Sequence, residues 1–340
     1  SGAQRGVMAD GNSDLGGRGA GGGGGRFRIC RTCGVEKPWA SFDLKKGRPS
    51  RTVCNSCRNK ALRGKPPTPV AIEVEAPPPE VGDSTPIIIQ HRSSKPVVRV
   101  AFVPDSHHPN VHAKSWALML RALMRWKPEV LVVLGDFADA ETLSAHPPDE
   151  PGNLDFAEEV ESVKTALTQL EQVGATTMVY IAGNHEFRLE RYLARQAPAL
   201  FKQLKGWPAL LDLHERGWQW VPYRRSASLG KLHITHDTGS AGMNAHRTSA
   251  AVFGGSALIG HTHRMAYEVR GRFDSTPYLA AMLGWLGDAA QAGKYMHEAK
   301  SAEWVHGFGV GLLEMGTGIV HLQPVPIVHG RCVIAGELVD

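Results

Sequence analysis

Five short polar clusters, each standing where a β-rich apolar run ends, constrain this chain more than any other feature. In order they are Asp105-Ser106-His107 after Val97 to Val103, Gly135-Asp136-Phe137-Ala138-Asp139 after Val130 to Leu134, and Gly183-Asn184-His185-Glu186 after Thr177 to Ala182. His236 follows Lys231 to Thr235, and Gly260-His261-Thr262-His263 follows Ala257 to Ile259. The runs are of buried-strand length. Between the first three, Trp116, Leu120 and Leu123, then Phe156, Val160, Val163, Leu167 and Leu170, recur at spacings of four and three, which predicts helices with one apolar face. Strand alternating with helix predicts an α/β fold. Trp218 to Tyr223, Met265 to Val269 and Gly309 to Glu314 read as further strands with fewer helices between them, so a second, mixed or antiparallel sheet and a layered sandwich are expected. In such sheets the loops past the strand carboxyl ends collect ligands and catalytic groups. Any one cluster alone would pass for a turn or a cap; five in order at strand ends do not.

This ordered set resembles the calcineurin-like metallophosphoesterase superfamily, whose motifs run D-x-H, G-D-x-x-D, G-N-H-E/D, H and G-H-x-H, over residues of about 97 to 325. The resemblance implies a four-layered α/β sandwich, two mixed sheets flanked by helices, carrying two metal ions. Carboxylate, imidazole and amide oxygen suit Mn²⁺, Fe or Zn²⁺, and seven such groups are enough for two neighbouring ions and excessive for one. By the family pattern, Asp105, His107, Asp136 and His263 would hold the first ion. Asp136, Asn184, His236 and His261 would hold the second, with Asp136 bridging. Two ions about 3.5 to 4 Å apart can generate a bound hydroxide at neutral pH and clamp the oxygens of an in-line phosphoryl displacement. No serine or cysteine nucleophile is then required. The resemblance also places His185 facing the substrate, stabilising the transition state and protonating the leaving oxygen, a task that imidazole suits. Asp139 would orient His185, a loop cap being its alternative. His108 is at most a substrate contact.

A different chemistry stands near the N-terminus. Cys30-x2-Cys33, twenty residues, then Cys54-x2-Cys57 supplies four thiolates in two pairs, the arrangement of a tetrahedral Zn²⁺ site. A module this small needs such a staple to fold. Four unrelated thiols or a redox pair is the alternative, and Cys332 reads as a packed apolar residue. The segment resembles the zinc ribbons attached to phage and bacterial nucleases. Residues 26 to 63 hold eleven Lys or Arg against Glu36 and Asp43, a local net charge of +9, whereas the chain as a whole is +5 and residues 64 to 340 net −4. Arg26, Arg28, Arg31, Lys45, Lys46, Arg48, Arg51, Arg58, Lys60 and Arg63 would neutralise phosphates and provide sequence-independent nucleic-acid affinity; a solvated surface or a protein-docking module is the alternative.

The domain plan is therefore a Gly-rich disordered tail at 1–25, a four-cysteine zinc ribbon at 26–63 and a Pro-rich linker at 64–96. A phosphoesterase domain at 97–325 and a C-terminal tail at 326–340 complete it. With 42% hydrophobic and 21% charged residues the chain is neither wholly disordered nor a membrane protein. No apolar run approaches the roughly 18 to 20 residues of a membrane span, and the N-terminal stretch has Gly and Arg where a secretory signal needs apolar residues. A cytoplasmic protein with no membrane partner is expected. Fold and metals do not choose the substrate. Protein Ser/Thr phosphatases typically carry Arg directly after the second Asp of G-D-x-x-D, where this chain has Ala140, which argues against that class. Arg188, Arg191 and Arg264 are the candidates to meet substrate phosphates. A second phosphate-binding module on a spacer favours a polymeric substrate, hence a nuclease or polynucleotide phosphoesterase. The alternatives are a phosphomonoesterase on nucleotides or small phosphates with a protein-docking ribbon, and a nucleic-acid-binding adaptor with little turnover.

Overall fold

The computed structural model describes residues 26–45, 48–49, 52–58, 85–144, 155–201, 206–292 and 302–340. The chain separates into two compact units, Ser1–Gly82 and Asp83–Asp340. The Gly-rich tail at 1–25, most of the Pro-rich linker, and Lys46, Arg51, Lys60 and Arg63 lie outside the described residues.

In the first unit β1 (Phe27–Ile29) and β2 (Glu36–Pro38) form an antiparallel hairpin, and β3 (Leu44–Lys45) pairs with β4 (Arg48–Pro49). The turn after Cys33 closes by Gly34 N–H donating to the Cys30 carbonyl at 2.9 Å, and Gly34 adopts φ +67°, a left-handed conformation that glycine takes without strain. Among the described residues the apolar centre of this unit is Cys30, Phe42 and Cys54, with Val53 and Cys57 against it.

The second unit is built on two six-stranded mixed sheets. Strands β6 (Val97–Val103), β7 (Val130–Val133), β8 (Thr177–Ile181) and β9 (Trp218–Val221) run parallel, while β15 (Gly307–Glu314) and β16 (Val320–Pro326) extend the sheet antiparallel beyond β6. The second sheet comprises β5 (Ile87–Ile88), β10 (Ala227–Leu229), β11 (Leu232–Thr235), β12 (Ser256–Ile259), β13 (Met265–Arg270) and β14 (Tyr278–Leu283), in the order β13-β14-β12-β11-β10-β5. Val98, Val100, Phe102, Val132 and Ile181 of one sheet interlock with Leu229, Ile234, Leu258 and Leu283 of the other. All four β7 residues are buried, as a central parallel strand covered on both faces requires.

Helices close the outer faces. On the first sheet lie α1 (Ala113–Trp126) and α2 (Phe156–Glu171), burying Met119 and Leu123, and Val163, Leu167 and Leu170, against Ala101, Leu131 and Val133. Asp155 and Glu158 form a reciprocal capping box that starts α2. Next in the chain come α3 (Phe187–Gln196), α4 (Pro198–Phe201) and α5 (Gly206–Leu210). On the second sheet α6 (Ala245–Phe253) sets Ala250 against Ala257 and Ala280. Helix, sheet, sheet and helix make the four layers.

The expected boundaries shift at both ends. Ile87–Ile88, assigned from sequence to the linker, pairs in parallel with β10, so the sandwich begins before Pro96. Residues assigned to a C-terminal tail form a hairpin of β17 (Cys332–Ile334) and β18 (Glu337–Val339). Its Cys332, Ile334 and Val339 are buried in the α1 side of the core, and Arg121 and Arg125 of α1 donate to the Asp340 and Leu338 carbonyls. Cys332 is thus a packing residue. Among the described residues no helix is long and apolar enough to cross a membrane.

Candidate metal centre

Both sheets deliver chemistry to one place. Asp105, Asp136 and Asn184 follow the carboxyl ends of β6, β7 and β8, and His236, His261 and His263 follow those of β11 and β12. Hydrogen bonds lock the two sheets together there: His261 N–H donates to both Asp105 oxygens at 2.9 and 3.1 Å, and His236 Nδ1 lies 2.9 Å from the Leu134 carbonyl. The loops approach so closely that a Cβ at Gly183 would collide with Asp136, and one at Gly260 would come within 2.6 Å of Asp105 Oδ1. The glycines of the G-N-H and G-H-T-H segments are therefore steric requirements. His107, Asp136, His261 and His263 hold φ of +52°, +46°, +69° and +58°. Left-handed backbone at four non-glycine residues costs about 1 to 3 kcal/mol each and persists where the surrounding fold over-determines it.

The proposed ligands fall into two groups of metal-ligand spacing, Asp105, His107 and His263, and Asp136, His236 and His261, and His107 recurs in a third with Asp139 and His185. Asn184 joins the second, its Oδ1 being 3.0 Å from His236 Nε2. Their chemistry calls for cations. His236 Nδ1 faces a carbonyl and must donate, yet its Nε2 faces two oxygens, Asn184 Oδ1 and Asp136 Oδ2 at 3.3 Å. Those two oxygens need positive charge at Nε2, supplied by a proton or by a metal ion in its place. In the other group His107 Nε2 and His263 Nε2 stand 3.1 Å apart, and the Nδ1 atoms of His261 and His263 are buried without a hydrogen-bond partner. The donor set fits two divalent ions, with nitrogen and oxygen ligands mixed in each group.

Without metal, protons meet that need only in part. Burial opposes a charged His236, but the Asp136 and Asp105 carboxylates push its pKa up to about 10. Burial wins at His263, lowering it to about 4 against the pull of Asp105. Burial would also raise Asp136, yet the imidazoles of His185, His236 and His107 hold it well below the usual carboxylate range.

Asp139 is the hub of a hydrogen-bonded group that shares His107 with the first metal group. Its Oδ1 lies 2.8 Å from His185 Nδ1 and 3.2 Å from His107 Nδ1. A carboxylate oxygen accepts, so both imidazoles donate at Nδ1 and turn Nε2 elsewhere. For His107 that is the metal group; for His185, Nε2 meets the Arg188 guanidinium at 3.0 Å. Arg188 also donates to the Asp139 carbonyl at 2.9 Å.

A cleft of about 670 Å³ opens over the centre, lined among others by Asp136, Asn184, His185, His261, His263, Arg264 and Trp304. Arg264 enters it paired with Glu303 at 2.6 Å. Neither Arg188 nor Arg191 is among the residues that line it; Arg188 reaches its wall through His185, whereas the Arg191 guanidinium lies 5.9 Å from the Phe187 ring. His108 is no substrate contact either. It is buried against Trp116 and Phe137, and burial together with the His107 charge lowers its pKa to about 3.

Glu186 is a residue of the site that sequence reasoning passed over. Fully buried, it accepts from the backbone of Asp136, Phe137, Ala138 and Gly183 and from the Tyr180 hydroxyl, at 2.7 to 3.0 Å. All five partners donate, so both oxygens accept as an ionised carboxylate; burial and the Asp136 charge push its pKa up, and the hydrogen bonds oppose that shift. Its place as the acid of G-N-H-E was the signal, although sequence shows none of its partners.

In the first unit the four sulfurs of Cys30, Cys33, Cys54 and Cys57 converge within ligand spacing. Cys54 N–H donates to Cys30 Sγ at 3.3 Å and Lys37 Nζ to Cys54 Sγ at 3.5 Å, bonds that favour thiolates. Arg58 pairs with Asp43 at 2.7 Å, and the Arg26 guanidinium sits over Trp39.

Residues 98–265 match the family model described as calcineurin-like phosphoesterase. Among solved structures, vacuolar protein sorting 29 from Cryptosporidium parvum is 13% identical, with 72% of this chain and 97% of that chain covered at a TM-score of 0.37. A dimetal phosphatase from Danio rerio is 10% identical, with 65% and 94% covered at a TM-score of 0.32. No curated protein matches this sequence.

Proposed function

This chain carries a calcineurin-like phosphoesterase domain, and from that premise we propose that it is a nuclease or polynucleotide phosphoesterase whose zinc ribbon holds the nucleic acid. The coarser activity is that of a metal-dependent hydrolase with Asp and His groups for a dinuclear site. When bound, two divalent ions, Mn²⁺, Fe or Zn²⁺, supply Lewis-acid charge and an activated water. Asp105, His107, Asp136 and His263 would hold one and Asp136, Asn184, His236 and His261 the other.

The chain's own residues do the rest. His185 is fixed through Nδ1 on Asp139 and accepts from Arg188 at Nε2; once Arg188 turns onto the substrate phosphate, Nε2 is free to take a proton from solvent and pass it to the leaving oxygen. Arg188, already within 3.0 Å of that nitrogen, is placed to turn its guanidinium onto the substrate phosphate. Arg264 is a weaker candidate because Glu303 already neutralises it.

The observation that carries the choice of nucleic acid is the local charge of +9 on residues 26 to 63, set beside −4 for residues 64 to 340. The convergence of the four ribbon sulfurs within ligand spacing supports a structural Zn²⁺ there, and cysteines paired as metal ligands suit a cytoplasmic setting. The test compares the intact chain with one lacking residues 1 to 64, on nucleic acid and on a small chromogenic phosphodiester, across a salt series with Mn²⁺ supplied. The intact chain should bind nucleic acid with a steep salt dependence, about 0.9 log units per log unit of salt for each phosphate neutralised, and the truncated chain with a shallower one, while turnover of the small ester is nearly unchanged. Equal affinities and equal slopes would remove nucleic acid from the proposal and leave the ribbon as a protein-docking module.

A further inference from the structure

Asn110, in the loop between β6 and α1, reaches across to the turn that carries Asp139. Its Nδ2 donates to Asp139 Oδ2 at 2.6 Å and to Glu141 Oε2 at 3.1 Å, so both amide protons are committed to carboxylates. Asn110 is held from behind, its own carbonyl accepting the Asp288 N–H at 2.8 Å while neighbouring Val111 bridges to Gly287. Glu141 is held too. Buried Glu159 of α2 accepts from the Glu141 N–H at 2.8 Å and from the Thr142 hydroxyl at 2.7 Å.

A carboxylate fixed at one oxygen can still turn about its Cβ–Cγ bond; fixed at both, it cannot. Asp139 Oδ1 serves His185 and His107 together, so the orientation of its carboxylate plane sets where both imidazoles point. Substituting Asn110 removes the donor from Oδ2 of a carboxylate that is 5% exposed. That oxygen would be left seeking a new partner, and rotation of the group would carry Oδ1 away from the imidazoles.

We propose that Asn110 is a positioning residue, clamping Asp139 so that one carboxylate oxygen aligns both the imidazole facing the leaving group and an imidazole of the metal centre. The inference rests on the roles proposed above for His185 and Asp139.

The test is a double-mutant cycle on aryl phosphodiesters of good and poor leaving groups, with Mn²⁺ at saturation. Asn110→Ala and Asn110→Leu are each made in the wild-type and His185→Ala backgrounds, and metal content and thermal unfolding are measured on every sample. Leu keeps the branched shape of Asn without a donor but is bulkier; should it fail to fold, the Ala pair decides. In the wild-type background kcat should fall by about 10- to 100-fold, most on poor leaving groups, with KM within about twofold. In the His185→Ala background the same substitutions should cost at least about threefold less and lose their dependence on the leaving group, because only the path through His107 remains.

Equal losses in both backgrounds, or full rate in Asn110→Leu, would overturn the inference and make Asn110 a packing residue. An active wild type indifferent to Asn110 overturns this inference alone. A wild type that hydrolyses no phosphoester overturns the proposed function and this inference with it.

Discussion

The two units use metal in opposite ways. In the ribbon, the buried apolar residues among those described are Cys30, Phe42 and Cys54, two of which are proposed Zn²⁺ ligands, so an ion bound there would substitute for a core. In the sandwich, Val98, Phe102, Val132 and Leu258 belong to one of two large apolar clusters. Packing there holds His107, Asp136, His261 and His263 in a left-handed backbone that none would choose alone. One site shapes its chain; the other is shaped by its chain. The difference teaches where to look for metal dependence: in folding for the first unit, in turnover for the second.

The largest effect expected from this contrast is all-or-none. Chelation, or Cys30→Ser, should abolish the folded ribbon, read as loss of its dispersed amide signals, while the sandwich keeps its cooperative unfolding transition. Structural Zn²⁺ contributes about 10 to 16 kcal/mol to such modules. A ribbon that stays folded without metal would break the comparison. Its loading should also rise with pH. The Cys54 backbone N–H helps lower Cys30 to about 6, while the neighbouring Cys54 and Cys33 sulfurs push Cys57 up to about 12. Cys57 thus carries a proton at neutral pH without metal, and Zn²⁺ must displace it. Calorimetry in buffers of different ionisation enthalpy should show proton release on binding; none would contradict the thiolate site.

Next comes His185→Ala, expected to lower kcat by about 10² to 10⁴ on esters with poor leaving groups and far less on activated aryl esters, with metal content unchanged. Loss of metal, or equal slowing of all esters, would show that His185 is not the proton donor. The smallest effect falls on stability. Glu186→Gln sets an amide NH₂ against backbone N–H donors and should destabilise the sandwich by about 1 to 3 kcal/mol, measured by urea unfolding of metal-free protein. An unchanged midpoint would mean that packing alone holds the motif loops.

Much of this fold was legible. The run Val97–Val103 is a strand over the same span, and the apolar spacing from Phe156 to Leu170 lies within α2. What was missed has physical reasons. In β14, Ala280 and Ala281 are small residues chosen for close packing, and they carry little β signal. In β16, Pro324 and Pro326 disguise a strand, and they are tolerated because β16 is a sheet edge. The two-residue β5 is too short to show a period. At the site, each proposed ligand stood beside an apolar run, so the position of every one could be read in the chain. The Asn110 amide on Asp139 and the Arg188 guanidinium on His185 arise from loops meeting in space, and no spacing announces them. Arg191 shows the converse, a basic residue beside a motif that turns onto Phe187 instead.

The most direct test of a dinuclear hydrolase is to measure metal content and phosphodiester turnover on the same samples of wild type and Asp136→Asn. Asp136 lies against His236 and His185 and receives the His185 N–H at 2.8 Å. Losing its charge should therefore weaken both ion sites at once and lower turnover by more than about a hundredfold. The account predicts two ions per chain beyond the ribbon's in the wild type, and a joint fall of metal and rate in the variant. Full turnover by Asp136→Asn with fewer than two ions in the sandwich would contradict it.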